Sequence, residues 1–102
     1  FSVGCENVLG NNTRQDYWRK IIQQIRKEYS GHLTYSANFN RSVSYRKVRF
    51  WDMLDFIGID AYFSVANRPA QSVEKLIRKW NRRIRKIEKW YTKNHPNKHI
   101  LF

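Results

Sequence analysis

Four polar side chains stand at or near the ends of apolar runs, and their types suit proton transfer and binding of a polar substrate. Glu6 ends the run 1–6, Asn38 lies near the end of a second run, and Asp60 and Tyr62 lie in a third. A carboxylate among apolar residues is costly unless it is paired or used in function. Carboxyl groups can transfer protons, whereas amide and phenol groups donate hydrogen bonds. These residues are therefore the candidates for a site, provided that the fold brings the ends of the three runs together.

Other kinds of site find little support in the residue types. Cys5 is the only cysteine among the 102 residues, so no internal disulfide can form. The three histidines lie in turn-like or polar stretches, and no pairs show the spacing of zinc ligands. We therefore expect neither a metal ion nor an organic cofactor. No apolar run reaches the length of a membrane span, so we expect no membrane partner.

Hydrophobic spacing predicts an alternation of strands and helices. The stretch 71–93 is the clearest, because Val73, Leu76 and Trp80 begin a series that steps by three and four residues, as on one face of a helix. The whole chain is predicted as strand 1–6, helix 14–29, strand 33–39, short helix or turn 48–54, strand 55–63, helix 71–93 and strand 99–102.

This alternation predicts an α/β fold with a parallel sheet and right-handed crossover helices. Flavodoxin-like sheets and (β/α)8 barrels both fit it. No Gly-x-Gly-x-x-Gly phosphate turn occurs, and polar residues gather where strands end, as they do at the mouth of a barrel. We therefore predict that residues 1–102 are a single segment of a TIM barrel, incomplete at both ends.

The strand 55–63 organises this prediction, because it is too apolar to have one face in water. With a period of two, Gly58, Asp60 and Tyr62 share one face, and the isoleucines between them share the other. We expect Asp60 either to contact a substrate or to be a structural carboxylate paired with an arginine.

A strongly basic helix is the main competing signal. From residue 68 to residue 98 there are eleven lysines and arginines against Glu74 and Glu88, in a chain of net charge +12. Such a stretch could neutralise phosphates, but the solvated outer face of a barrel helix has the same composition. The tryptophans and isoleucines fall on the buried stripe and are not interleaved with the cations as stacking platforms. We expect no nucleic-acid partner, with binding to nucleic acid or an acidic surface through helix 71–93 as the alternative.

Three stretches resemble a known family: LTYSAN at 33–38, FWD at 50–52 and DFIGIDAYF at 55–63. They are similar to glycoside hydrolase family 113, whose members are clan A barrel enzymes typified by endo-β-1,4-mannanases. The resemblance covers essentially the whole chain and implies that it runs from barrel strand four to the start of strand seven. It implies a retaining hydrolase of β-linked polysaccharides or oligosaccharides, mannan above all.

The resemblance also implies roles for individual residues. Glu6 matches the general acid/base at the end of strand four, and the nucleophile is expected to be a glutamate just beyond Phe102. Asn38 and Asp60 would bind sugar hydroxyls or orient Glu6, and Tyr62 would hydrogen-bond the nucleophile. Trp51 is either a stacking platform for sugar or part of the core.

The same resemblance sets the expected partners. The substrate is a carbohydrate, and the remainder of the barrel is required, so the segment alone should be inactive. Cys5 stands where clan A enzymes commonly have an asparagine. A barrel that binds sugar but has lost catalysis is therefore the second alternative.

Overall fold

The computed structural model describes residues 1–6, 14–39, 44–66, 69 and 72–102. It forms two compact units, one of Phe1–Ala61 with Lys98–Phe102 and the other of Tyr62–Asn97. The first unit contains β1 (Ser2–Cys5), α1 (Gln15–Glu28), β2 (Thr34–Asn38), two short 3₁₀ helices (Tyr45–Lys47 and Trp51–Met53), β3 (Phe56–Asp60) and β4 (His99–Leu101), whereas the second contains α2 (Val73–Asn94).

The four strands of the first unit form one parallel sheet in the order β1-β2-β3-β4. Asn38 is in register with Asp60, and Gly58 is in register with both Ser36 and Leu101. Gly58 allows β2 to approach closely, because a Cβ atom at that position would lie 2.6 Å from the carbonyl oxygen of Tyr35. Within the described strands each one neighbours the next in sequence, without the reversal of order that marks a doubly wound sheet.

An aromatic cluster joins α1 to one face of the sheet. Trp18 of α1 meets Tyr35 of β2 edge-on at 5.3 Å and stacks on Phe50 at 5.7 Å. Tyr35 in turn meets Phe50 at 5.3 Å and Trp51 at 6.2 Å. All four side chains are at most 9% exposed, so they form the centre of the core.

Two aspartates connect α1 to the segments that precede β3. The Oδ2 atom of Asp55 accepts hydrogen bonds from Arg26 Nη2 at 2.5 Å and from the Leu33 amide at 2.7 Å. Asp52 and Arg19 form a two-pronged ion pair with both distances at 2.7 Å. The chain therefore uses these carboxylates to fix α1 against the amino-terminal side of β3.

The second unit is built around α2, which begins after a capped turn. The Ser72 hydroxyl accepts a hydrogen bond from the Lys75 amide, as serine commonly does at a helix start. Glu74 lies in the first turn, where backbone and Ser72 hydrogen bonds hold the pKa of its carboxyl below its usual range. Trp80 packs against Phe63 with ring centroids 5.0 Å apart. Neither described helix has the length and hydrophobicity needed to cross a membrane.

Most predicted elements are confirmed within one or two residues, but the third strand is shorter than predicted. β3 ends at Asp60, where its partner β2 also ends at Asn38. Beyond that point the described β2 offers no further backbone groups to pair with. Tyr62 therefore lies outside the strand, and the prediction that it continues the same strand face as Asp60 is wrong.

Candidate active site

Three neighbouring parallel strands end at the same edge of the sheet and bring candidate residues with them. Glu6 follows β1, Asn38 ends β2 and Asp60 ends β3. Asn38 and Asp60 are directly in register, so their side chains leave the sheet on the same face. Both are partly exposed, as is Glu6. The structure thus brings together three of the residues selected from the sequence.

An irregularity in β1 decides which way its last residue faces. Ser2 is in register with Thr34 and Cys5 with Ser36, so three steps on β1 match two steps on β2. An extra residue of this kind re-aims the side chains that follow it. It puts Cys5 on the face that carries Ser36, Asn38 and Asp60, and the Cys5 thiol donates a hydrogen bond to Asp60 Oδ2 at 3.4 Å.

Glu6 adopts a backbone conformation that few residues with a side chain adopt. Its φ is 43°, which makes it the only non-glycine residue of the described chain with a positive φ. Its amide nevertheless donates to the Ser36 carbonyl oxygen at 2.8 Å, so the turn stays attached to β2. Unusual backbone geometry of this kind clusters at functional sites. The carboxyl group is therefore held at the sheet edge by a defined turn.

The thiol beside Glu6 is suited to donating a hydrogen bond. Cys5 is exposed, but some loss of hydration, the hydrogen bond to Asp60 and the negative charges of Asp60 and Glu6 raise the pKa of its thiol above the ordinary value. A raised pKa keeps the thiol protonated at neutral pH, and only the thiolate is a strong nucleophile. Cys5 therefore holds Asp60 and is not suited to attack a substrate itself.

Two other candidate residues lie in different settings. Trp51 is 1% exposed, and its Nε1 donates to the Tyr45 carbonyl oxygen at 2.9 Å. A sugar cannot stack on a buried ring, so the structure favours the core-packing alternative for Trp51 over the stacking platform.

Tyr62 belongs to the second unit and is 89% exposed. Its predicted contact with a nucleophile stays a prediction.

Sequence reasoning missed the partner of Asp60. An arginine was one expectation, but no described arginine forms an ion pair with Asp60, and its hydrogen bond comes from Cys5. The signal that could have identified Cys5 is its position one residue before Glu6, at the end of a strand.

No group of three or more His, Cys, Asp or Glu side chains in the described part of the chain could hold a metal ion.

One of the comparisons with known proteins gave a match. The model of Glycoside Hydrolase Family 113 matches residues 1–102. Neither the curated proteins nor the solved structures compared with the chain gave a match. Because the family model covers the chain from its first residue to its last, the chain belongs to glycoside hydrolase family 113.

Proposed function

We propose that this chain is part of a retaining glycoside hydrolase that cleaves β-linked polysaccharides, with mannan as its substrate. In this proposal the four strands are a segment of a (β/α)8 barrel, and the rest of the barrel completes the site. The simple order β1-β2-β3-β4 supports a barrel, because barrel strands neighbour one another in chain order.

One observation carries the proposal. Glu6, Asn38 and Asp60 meet at the carboxyl edge of one parallel sheet, and the Cys5–Asp60 hydrogen bond joins the ends of β1 and β3. Barrel enzymes carry their chemistry at this edge, with catalytic residues supplied by several strands. A partly exposed carboxyl group can, in its protonated form, donate a proton to a glycosidic oxygen.

The mechanism is a double displacement. Glu6 is the general acid that protonates the leaving oxygen while a second carboxylate attacks the anomeric carbon and forms a glycosyl–enzyme intermediate. Glu6 then acts as a base toward the water that hydrolyses this intermediate. The two carboxyl groups of a retaining enzyme lie about 5–5.5 Å apart. We assign the nucleophile to a glutamate that follows Phe102, at the carboxyl end of β4.

Asp60 and Asn38 are proposed to bind sugar hydroxyls beside Glu6. A carboxylate accepts and an amide both accepts and donates, so this registered pair suits a polyhydroxylated ligand. Cys5 supports Asp60 by the thiol hydrogen bond, which reaches from the end of β1 past β2 to the end of β3. In this role Cys5 positions a binding residue and takes no part in bond breaking.

The test is the variant Glu6→Gln in the full-length protein. Glutamine keeps the size of the side chain but cannot donate a carboxylic proton, so turnover of mannan should fall by about 10²–10⁴-fold. Substrates with an activated aryl leaving group need less protonation, and their first step should be affected far less. Initial rates on both substrates, measured side by side, give the comparison.

A matched control is Glu28→Gln, which changes an exposed carboxylate at the end of α1. It should leave both rates unchanged. Equal turnover of mannan by Glu6→Gln and the parent protein would remove Glu6 from the acid/base role. If the parent protein binds mannan but shows no turnover, the alternative of an inactive sugar-binding barrel replaces the hydrolase.

A further inference from the structure

Helix α2 carries much more positive charge than its own carboxylates can balance. Two acidic residues, Glu74 and Glu88, face nine cations on this helix. The helix therefore carries seven more positive than negative charges. The nine cations are Lys75, Arg78, Lys79, Arg82, Arg83, Arg85, Lys86, Lys89 and Lys93.

Six of the exposed cations form one continuous surface, which we call the basic face. Its members lie three or four residues apart or adjacent, so they fall on one side of a helix. They place about three charges on every two 5.4 Å turns over a length of about 21 Å. The basic face consists of Lys75, Arg78, Arg82, Arg85, Lys86 and Lys89, all exposed. Its first four members, with Lys79, line a shallow groove along the helix.

The two tryptophans of α2 each pack against another ring, and Trp80 stays 39% exposed. Trp80 packs on Phe63 at 5.0 Å, and Trp90 packs on His95 at 5.1 Å. Proteins that bind single-stranded nucleic acids combine a positive groove with aromatic platforms for the bases. The six exposed members of the basic face are all cations, so negative charge is what this face can bind.

We propose that the basic face of α2 binds an acidic polysaccharide, a linear glycan that carries carboxylate, sulfate or phosphate groups along its length. The choice of a polysaccharide over a nucleic acid rests on the proposed function, because a hydrolase of neutral polysaccharide encounters acidic glycans in the same material. The basic face then retains the enzyme on the charged polymer while the active site acts on the neutral one.

The chemistry of the face suits this partner. Arginine offers a planar fork that binds carboxylate, sulfate or phosphate with two hydrogen bonds, and lysine adds a point charge. Each exposed pair contributes little alone, roughly 0.2–1 kcal/mol. A row of six gives useful affinity only when the partner presents many charges in a line. Binding through exposed charges weakens as salt is added.

The test measures dissociation constants of the full-length protein for polygalacturonate at low and at moderate salt, with neutral mannan and double-stranded DNA as comparison ligands. The basic-face variant combines Lys75→Gln, Arg78→Gln and Arg82→Gln. The control variant combines Lys20→Gln, Lys27→Gln and Arg49→Gln, which are exposed cations of the first unit. Both variants lose three positive charges. A difference in affinity between them therefore reports the position of the charges and not the net charge.

The basic-face variant should bind polygalacturonate about tenfold more weakly, the effect of roughly 1.4 kcal/mol from three exposed pairs. The control variant should change by less than twofold, and both should hydrolyse neutral mannan at the parent rate. Equal weakening in both variants would overturn the proposal, because net charge would then explain the binding. Tighter binding of DNA than of polygalacturonate, at equal concentrations of charge, would overturn it in favour of nucleic acid.

The proposed hydrolysis and the proposed binding by the basic face can be contradicted independently of each other. Loss of mannan hydrolysis in Glu6→Gln with unchanged polygalacturonate binding supports the basic face as an independent site. Absence of any mannan hydrolysis in the parent protein, with polygalacturonate binding that depends on the basic face, contradicts the proposed function and leaves the binding surface supported.

Discussion

The two ends of β3 carry the same residue type in opposite settings. At the amino end, Asp55 accepts hydrogen bonds from Arg26 at 2.5 Å and from the Leu33 amide at 2.7 Å. At the carboxyl end, Asp60 accepts a hydrogen bond from the Cys5 thiol at 3.4 Å. A guanidinium and an amide are strong donors, whereas a thiol is a weak one.

The difference separates a structural carboxylate from one suited to binding. Asp55 is held by donors from α1 and from the residue before β2, so it connects three segments of the first unit. Asp60 has a weak donor among the described residues and is only partly buried. In parallel barrels, residues at the amino end of strands serve stability and those at the carboxyl end serve catalysis. Substitutions at the two ends should therefore affect different measurements.

The largest loss of stability should follow Asp55→Ala. The change leaves the Arg26 guanidinium and the Leu33 amide without their acceptor, which costs about 2–3 kcal/mol of unfolding free energy. Urea denaturation of the variant and the parent measures it. Asp55→Asn is the control, because it keeps an acceptor oxygen and should lose less. A loss below 0.5 kcal/mol in Asp55→Ala would contradict the structural role.

Low pH should reduce the stabilisation that Asp55 gives to the fold at the amino end of β3. Partial burial acts to raise the pKa of Asp55, but the hydrogen bonds from Arg26 and Leu33 and the charge of Arg26 outweigh it and hold the pKa below its usual range. A lowered pKa in the folded state means that the unfolded chain binds more protons in acid. The stabilisation is complete above about pH 4, the ordinary aspartate pKa, and is lost as pH falls through the folded value.

Urea denaturation at a series of pH values between neutrality and acid measures this dependence. Asp55→Asn has no titrating group at this position, so its stability should fall less steeply in the acid range. Identical slopes for Asp55→Asn and the parent protein would show that Asp55 does not contribute to acid sensitivity.

A smaller loss should follow Asp52→Ala. The Arg19–Asp52 pair has good two-pronged geometry, but its side chains are 42% and 60% exposed. Exposed ion pairs contribute about 0.2–1 kcal/mol, and added salt weakens them. Urea denaturation with and without added salt should show this loss shrinking at high ionic strength. A loss as large as that of Asp55→Ala would contradict the distinction between a half-buried network and a surface pair.

The smallest loss of stability should follow Asp60→Asn, within about 0.5 kcal/mol, because asparagine can still accept the Cys5 hydrogen bond. Its effect should appear in kinetics instead, as a fall in kcat/KM for mannan of about tenfold, the value of one hydrogen bond to a charged group. Denaturation and initial-rate measurements on the same preparation compare the loss of stability with the fall in kcat/KM. Unchanged kinetics with a clear loss of stability would assign Asp60 to the structural carboxylates.

The sequence predicted best what depends on local spacing. The period of the isoleucines and tryptophans located α2 within two residues. The end of β3 was missed because the strand stops where β2 stops, and that limit is set by a partner far away in sequence. Apolar residues beyond Asp60 continue the pattern of a strand, although β3 ends in register with the end of β2.

The candidate site was predicted only in part, because some of its features depend on residues that are far apart in sequence. Glu6, Asn38 and Asp60 each end a strand, and parallel strands bring such ends together. The Cys5–Asp60 hydrogen bond depends on the irregular register of β1, which no local pattern reveals. Burial of Trp51 depends on the cluster with Tyr35 and Phe50, and the sequence alone favoured core packing while leaving sugar stacking open.

The left-handed backbone of Glu6 has a consequence for engineering of this protein. A residue with a Cβ atom in that conformation costs about 1–2 kcal/mol, a measurable share of the 5–15 kcal/mol that stabilises a typical domain. A search for thermostabilising substitutions would therefore select Glu6→Gly early, because glycine adopts a positive φ without strain. The resulting protein would withstand heat better and would have lost the carboxyl group on which the proposed hydrolysis depends.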